Sequence, residues 1–151
     1  MKKILSLILV ALMIFASSIC FVACNDEETS SSIESSSSQL EKEKMLYTTD
    51  TTLGEGATQF TLIVEHIDGK KINFTIKTDK TILADALTEI GIIEGKVESY
   101  GLYVKKVNGI IQDYDIDKTY WALYEGEDYA SKGISFIEIT SGATYKLVAT
   151  K

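Results

Sequence analysis

The chain has 151 residues, with 22 acidic side chains against 15 lysines and no arginine, so its formal net charge is −7. A nucleic-acid-binding surface needs clustered lysine and arginine, and this composition therefore excludes nucleic acid as a partner. The length fits one domain with a flanking segment.

The first 24 residues have the layout of a secretory signal peptide. Two lysines precede an apolar run that ends near Phe15, and small residues follow as far as Cys24. The end of this segment, Ala23-Cys24, resembles a bacterial lipobox, whose cysteine receives a diacylglycerol group. An uncleaved transmembrane helix over residues 4–23 is the alternative, because about 20 apolar residues span a bilayer. The resemblance implies a signal peptide in residues 1–23, lipid attachment at Cys24 and an extracytoplasmic protein anchored to the bacterial cell membrane.

Residues 24–57 are predicted to form a flexible tether rich in serine and glutamate. Two serine runs, 30–32 and 35–38, lie in it, and hydrophobic residues are few. Such a segment cannot bury enough apolar surface to offset its ordering entropy. We therefore expect the tether to be dispensable for folding and the domain to occupy residues 58–151.

The domain is predicted to open with a β-hairpin. Hydrophobic and polar residues alternate over residues 60–65 and again over residues 72–77, which is the period of a half-buried strand. Asp68-Gly69 lies between the two runs and is a strong hairpin turn signal.

A short amphipathic helix is predicted next, over residues 81–90. Its apolar residues recur at helical spacing in a single stripe, which can cover one face of a small sheet. Thr78 or Asp79 is expected to cap the first amide groups, and Gly91 suits a left-handed C-terminal cap.

The second half of the domain is predicted to return to strands, at residues 100–107, 120–124 and 145–150. Asn108-Gly109 is the strongest hairpin signal in the chain. The resulting order, β-β-α-β-β-β, is that of a β-grasp, an α+β fold with one helix on a mixed sheet.

Three blocks of this second half occur together in one family. They are YGLYVKKVNG at residues 100–109, YWALY at residues 120–124 and SGATYKL at residues 141–147, with Gly133 between the last two. As a set they resemble the transcobalamin-like C-terminal domain (DUF4430) of bacterial surface lipoproteins, over about residues 58–151. The resemblance implies a β-grasp-like domain.

The same resemblance implies a ligand. In the related animal proteins, transcobalamin and intrinsic factor, this domain closes over one face of cobalamin, and a large helical domain supplies the rest of the site. For this chain it implies a corrinoid or another small flat molecule as ligand, with no cofactor required. Because the chain has no room for the helical domain, a transporter or a second domain would complete the site.

Aromatic residues concentrate in the part of the chain that carries the resemblance. Seven of the eight tyrosines and the single tryptophan lie between residues 100 and 145. One helix can bury only one face of the sheet, so we expect an exposed aromatic patch that binds the ligand. The alternative is that the tryptophan belongs to the core and the tyrosines are ordinary strand residues. The candidate ligand-binding residues are Tyr103, Tyr120, Trp121, Tyr124 and Tyr129.

No catalytic or metal site is expected. Asp113-x-Asp115-x-Asp117 resembles the start of a calcium loop, but it lacks the glycine and glutamate that an EF-hand requires further on. His66 is the only histidine and has no cysteine or histidine partner in sequence that would suggest zinc. We expect a protein that is not an enzyme.

Two functions remain open. The first is a surface lipoprotein that binds a small ligand, with capture of a corrinoid-related micronutrient as the specific form. The second is a module that binds a protein or a glycan at the cell surface. Both would use exposed aromatic side chains.

Overall fold

The structure is a computed structural model, and it describes residues 44–151. The predicted signal peptide, the lipid-attachment residue Cys24 and the tether as far as residue 43 lie outside the described residues. Within these described residues, nine strands, two helices and one 3-10 helix follow each other. They are β1 (Thr51–Leu53), β2 (Thr58–Glu65), β3 (Lys71–Thr78), α1 (Leu83–Glu89), β4 (Ile93–Glu98), β5 (Gly101–Val107), β6 (Ile110–Ile111), α2 (Tyr114–Asp117), β7 (Tyr120–Glu125), β8 (Asp128–Tyr129), the 3-10 helix (Ile134–Phe136) and β9 (Thr144–Thr150).

The strands form two sheets. The larger sheet is mixed and has the order β1-β3-β2-β9-β7-β8, with β1 parallel to β3 and β2 parallel to β9. The smaller sheet, β4-β5-β6, is antiparallel. The predicted α+β class is confirmed. The structure has two sheets where one was predicted, because β5 pairs with β4 and β6 instead of joining the larger sheet. The sequence carries no sign of β4, whose residues are mostly exposed and do not alternate clearly.

The two hairpin signals form turns as predicted. Asp68-Gly69 joins β2 to β3, with Gly69 at a φ of 82°. Asn108 and Gly109 have φ values of 50° and 83° and join the paired residues Val107 and Ile110. Two positive φ values in a two-residue loop are the geometry of a type I′ turn, which asparagine and glycine tolerate best.

The start of helix α1 differs from the prediction. Ile82 stands at the N-cap position and makes no side-chain hydrogen bond there. The two predicted caps act in the preceding loop instead: the Thr78 hydroxyl accepts from the Lys80 amide at 3.0 Å, and the Asp79 carboxylate accepts from the Ala57 amide at 2.8 Å. Thr78 and Asp79 therefore stabilise the loop between β3 and α1, and the helix begins only at Leu83.

The end of helix α1 agrees with the prediction. Gly91 has a φ of 68°, its amide donates to Thr88 O at 3.0 Å, and the Ile92 amide donates to Leu87 O at 3.1 Å. This pair of bonds is a Schellman motif, which satisfies carbonyl groups that the last helical turn leaves free.

The core lies between the larger sheet on one side and α1, the 3-10 helix and the smaller sheet on the other. Alternate residues of β2, β3 and β9 point into it, and Leu83 and Leu87 of α1 are fully buried. The largest fully buried side chains are Phe60, Phe74, Leu62, Ile72, Ile76, Leu83, Leu87, Ile92, Ile93, Leu147, Val64 and Val107.

The described residues before β2 pack on the domain, contrary to the predicted flexible tether that extends to residue 57. β1 pairs in parallel with β3, and the Tyr47 ring lies 5.7 Å from the Phe74 ring in an edge-to-face arrangement. Asn108 binds the Tyr47 backbone on both sides, accepting from its amide at 2.9 Å and donating to its carbonyl at 2.9 Å. Residues 44–53, which we call the strap, therefore belong to the folded part.

Candidate functional site

A cavity of about 260 Å³ lies where the two sheets meet, between β5 and the edge of the larger sheet formed by β7 and β8. Its floor consists of side chains that are almost fully buried: Val104, Trp121, Ile134 and Leu147. Tyr103, Tyr129 and Lys132 also line it and retain solvent exposure. The site is thus a hollow with an apolar floor and polar groups from two tyrosines, one serine and one lysine.

Strand alternation and one close backbone approach build this cavity. Trp121 and Leu123 are two residues apart on β7 and share its inner face, and the Ala130 amide donates to Leu123 O at 2.9 Å. On the other side, the Leu102 amide donates to the Ser135 hydroxyl at 2.9 Å. The close approach of the β5 backbone to Ser135 needs glycine at position 101, since a Cβ there would lie 2.9 Å from the Ser135 Cβ.

Trp121 is the only tryptophan in the chain, and it sits in the floor of the cavity. It is only 7% exposed, and its ring packs edge-on at 6.1 Å from the His66 ring. Within residues 44–151 its indole N–H has no hydrogen-bond partner. The residue is therefore a core side chain that also forms part of the cavity, and the expectation of an exposed Trp121 is wrong.

The five predicted aromatic residues do not form one patch. Tyr103, Trp121 and Tyr129 line the cavity. The Tyr124 ring lies 5.3 Å from the Tyr129 ring, and Tyr120 packs 6.5 Å from Tyr114. Because β7 alternates, Tyr120 and Tyr124 belong to the face of the larger sheet that points away from Trp121.

Sequence reasoning missed the loop that closes the cavity. Ala130, Ser131, Lys132 and Gly133 line it without forming a helix or strand. Their sequence carries no periodicity, and only the position of Ala130 beside Leu123 in the fold reveals their role.

An ion pair between Lys105 of β5 and Asp113, the N-cap of α2, lies next to Tyr103 but outside the cavity lining. Lys105 Nζ lies 2.9 Å from Asp113 Oδ2, and this hydrogen bond raises the pKa of Lys105 and lowers the pKa of Asp113. Lys105 also lies 6.0 Å from the centre of the Tyr103 ring, and burial raises the pKa of Tyr103. Tyr103 therefore remains a neutral hydrogen-bonding group at ordinary pH.

The acidic turn that resembled a calcium loop is helix α2 and its caps. Asp113 is the N-cap and accepts from the Asp115 amide at 3.1 Å, while Asp117 accepts from the Thr119 amide at 3.1 Å. Across residues 44–151 no group of three or more His, Cys, Asp or Glu side chains is placed to hold a metal ion.

The other concave surfaces are lined by more charged side chains, four each against one in the aromatic cavity. One of about 400 Å³ is lined by Glu55, Asp79 and Glu89 among others, and one of about 300 Å³ by Lys96, Lys105 and Lys106. All three of these lysines are paired with carboxylates. The aromatic cavity is therefore the better candidate for a small-molecule site.

No protein-family model matches the chain, DUF4430 included, and no curated protein matches it in sequence. Solved structures do match it. One is the crystal structure, at 1.30 Å resolution, of a proposed metal binding protein from Ruminococcus gnavus ATCC 29149. The two share 21% identity with a TM-score of 0.60, over 63% of this chain and 98% of that one.

A second similar structure is haptocorrin in complex with Cbi, at 18% identity and a TM-score of 0.50. The match covers 62% of this chain and 25% of haptocorrin, so it corresponds to a quarter of that protein. At these identities both matches establish a shared fold. They support the predicted link to the transcobalamin-like proteins at the level of the fold.

Proposed function

We propose that this protein is an extracytoplasmic lipoprotein whose domain binds a small ligand through the cavity between its sheets, without catalysing a reaction. The observation that carries the proposal is the composition of the cavity: a buried apolar floor with Trp121 and a mouth with Tyr103 and Tyr129. Small-molecule sites are concave and mainly apolar, with a few polar groups that orient the ligand. No cofactor is part of the proposal.

The cavity volume restricts how a ligand sits. Drug-sized ligands occupy pockets of roughly 300–1,000 Å³, and this cavity measures about 260 Å³. A whole corrin ring is too large for a cavity of this volume. A corrinoid would therefore insert one edge or one side arm, and the rest of its ring would lie across Tyr103 and Tyr129. A transporter or second domain would then cover the exposed side.

A corrinoid is the first ligand to test because the domain shares its fold with part of haptocorrin, which was crystallised with Cbi. Fold likeness is a weak warrant for function, since unrelated functions share folds. The cavity chemistry supports a flat, largely apolar ligand in general more directly than it supports a corrinoid in particular.

Trp121 provides a direct test, because it is the only tryptophan and lies in the cavity floor. Titrating cobinamide or cobalamin into the purified chain should quench its emission saturably. Tyr103→Ala should weaken binding, since it removes a ring from the mouth. Tyr114→Ala, which removes an exposed ring outside the cavity, should leave binding unchanged.

Haem serves as the control for unspecific stacking on aromatic rings. Equal quenching by haem and corrinoid, or equal affinities of the Tyr103→Ala and wild-type proteins, would count against the proposed site.

The proposed anchor is tested separately. We expect radiolabelled fatty acid to be incorporated into the wild-type protein in a bacterial host and not into Cys24→Ser, because only Cys24 follows Ala23 in the lipobox-like sequence. Equal labelling of both proteins would contradict lipid attachment at Cys24. Within residues 44–151 no helix is long and apolar enough to cross a membrane.

The second candidate function, a cell-surface module that binds a protein or a glycan, is favoured by a different observation. Tyr120 and Tyr124 lie on the face of the larger sheet that the smaller sheet and α1 do not cover.

A further inference from the structure

Within residues 44–151, one face of the larger sheet is covered neither by the smaller sheet nor by α1, and it carries a row of four threonines in register. Thr52 pairs with Thr75, Thr75 with Thr61, and Thr61 with Thr144, so the row crosses the adjacent strands β1, β3, β2 and β9. The neighbours of each in sequence point into the core, as Phe74 and Ile76 do beside Thr75. All four side chains therefore lie on the same outer face, which we call the open face.

The four hydroxyl groups of this row are available to a ligand. None of them makes a hydrogen bond to another group of residues 44–151, and none is a buried unsatisfied atom, so their oxygens contact solvent. Neighbouring strands are about 4.8 Å apart, which spaces the hydroxyls regularly over about 14 Å.

Aromatic rings flank the threonine row on the same face. Tyr124 pairs with Lys146 of β9, which in turn pairs with Ile63, one step along the strands from the row. Tyr129, at the sheet edge, contacts Tyr124 at 5.3 Å between ring centroids. The open face thus combines apolar ring surface with a line of free hydroxyls.

The charged groups on and around the open face balance each other. Lys71 lies 3.1 Å from Glu65, and Lys146 lies 2.6 Å from Glu127. Asp50, at one edge, accepts two hydrogen bonds from Asn73, which lower its pKa. Lys77 lies two residues from Thr75 on the same face of β3, and its positive charge offsets the negative charge of Asp50 in the total for this face. Such a face favours an uncharged partner, and the net charge of −7 of the chain disfavours anionic polymers.

We propose that the open face binds an uncharged polysaccharide chain that lies across the strands. The threonine hydroxyls donate to and accept from sugar hydroxyls, and the apolar face of a sugar ring packs on Tyr124. A protein partner would favour a face richer in Trp, Phe, Met or Arg, residues enriched at protein interfaces, than one that presents a row of threonines. This site meets the cavity at Tyr129, but the threonine row and Tyr124 lie outside the cavity lining, and the site gives the protein a second binding function.

The test is native gel electrophoresis of the full chain through gels that contain laminarin, xylan, glucomannan or hydroxyethyl cellulose. At least one of these neutral polysaccharides should retard the wild-type protein. The double variant Thr61→Val/Thr144→Val removes two central hydroxyls but keeps side-chain shape and strand preference. Loss of two hydrogen bonds should raise the dissociation constant about tenfold or more.

Thr58→Val is the matched control, since Thr58 is on β2 but alternates with Thr61 and shares the face of Phe60. It should bind as the wild type does. Thermal melting of all three proteins establishes that the double variant is folded. The cavity variant Tyr103→Ala should keep polysaccharide binding. A failure of the polysaccharide proposal can therefore be told apart from a failure of the proposed small-ligand site.

Three results would overturn the proposal. One is the absence of retardation by all four polysaccharides at concentrations that retard known glycan-binding domains. Another is retardation that the folded double variant retains in full. If the wild-type chain instead self-associates and the double variant does not, the open face is an interface between copies of this chain and the glycan proposal is wrong.

Discussion

Replacing Asn108 with alanine should destabilise the protein by about 3 kcal/mol or more. The Asn108 side chain is fully buried and makes two hydrogen bonds to Tyr47, 61 residues earlier in the chain. Alanine loses both bonds, leaves the Tyr47 backbone groups without partners and must adopt a φ of 50°. Two orphaned groups cost about 1–3 kcal/mol each, and a left-handed backbone costs roughly 1–2 kcal/mol for a residue with a Cβ.

Chemical denaturation of wild type, Asn108→Ala and Asn108→Gly separates these contributions. Glycine accepts the left-handed conformation without strain, so Asn108→Gly should lose the hydrogen bonds alone and be the less destabilised of the two. If Asn108→Ala unfolds at the wild-type denaturant concentration, the strap is not held on the domain as the structure describes.

Replacing Leu87 with alanine should cost about 3 kcal/mol. Leu87 is fully buried on the inner face of α1, and truncation of a buried leucine costs roughly 2–5 kcal/mol because a cavity remains. The carbonyl of Leu87 also closes the Schellman motif, and that backbone bond is unaffected by the substitution. The loss therefore reports side-chain packing.

Thr88→Ala is the control, since Thr88 is the next residue of the helix and is exposed. Changes at such surface positions usually stay within about 0.5 kcal/mol. Urea or guanidinium unfolding of both variants measures the difference. A near-neutral Leu87→Ala change would show that α1 presents a different face to the core.

The parts of the fold that depend on local chemistry could be predicted from the sequence. The β2–β3 hairpin and the Asn108-Gly109 turn follow from alternation and from residues that tolerate positive φ. Gly91 ends α1 for the same reason. In each case neighbouring residues carry the whole signal.

The parts that depend on distant contacts could not be predicted in this way. The strap looks polar and unstructured in sequence, yet β1 pairs with β3 and Asn108 holds Tyr47. The predicted cap of α1 was wrong for a similar reason, because the Asp79 carboxylate accepts from the Ala57 amide and not from the first amides of α1. These contacts join residues far apart in the chain, where periodicity gives no information.

The candidate site was predictable in its residue types but not in its shape. The sequence identified Tyr103, Trp121 and Tyr129, which line the cavity. It also grouped Tyr120 and Tyr124 with them, although strand alternation places those two on the open face. Position on a strand determines the face, but only the packing of the smaller sheet on the larger one determines which face is enclosed.

The central claim is that the cavity binds a small flat ligand, and calorimetric titration of wild type and Ala130→Leu with cobinamide tests it most directly. Ala130 lines the cavity and packs against the core, so a leucine there would fill part of the hollow. We expect the wild type to bind and the folded variant to bind at least about tenfold more weakly, or about 1.4 kcal/mol. Equal affinities in the two proteins, or no heat of binding in the wild type, would contradict the claim.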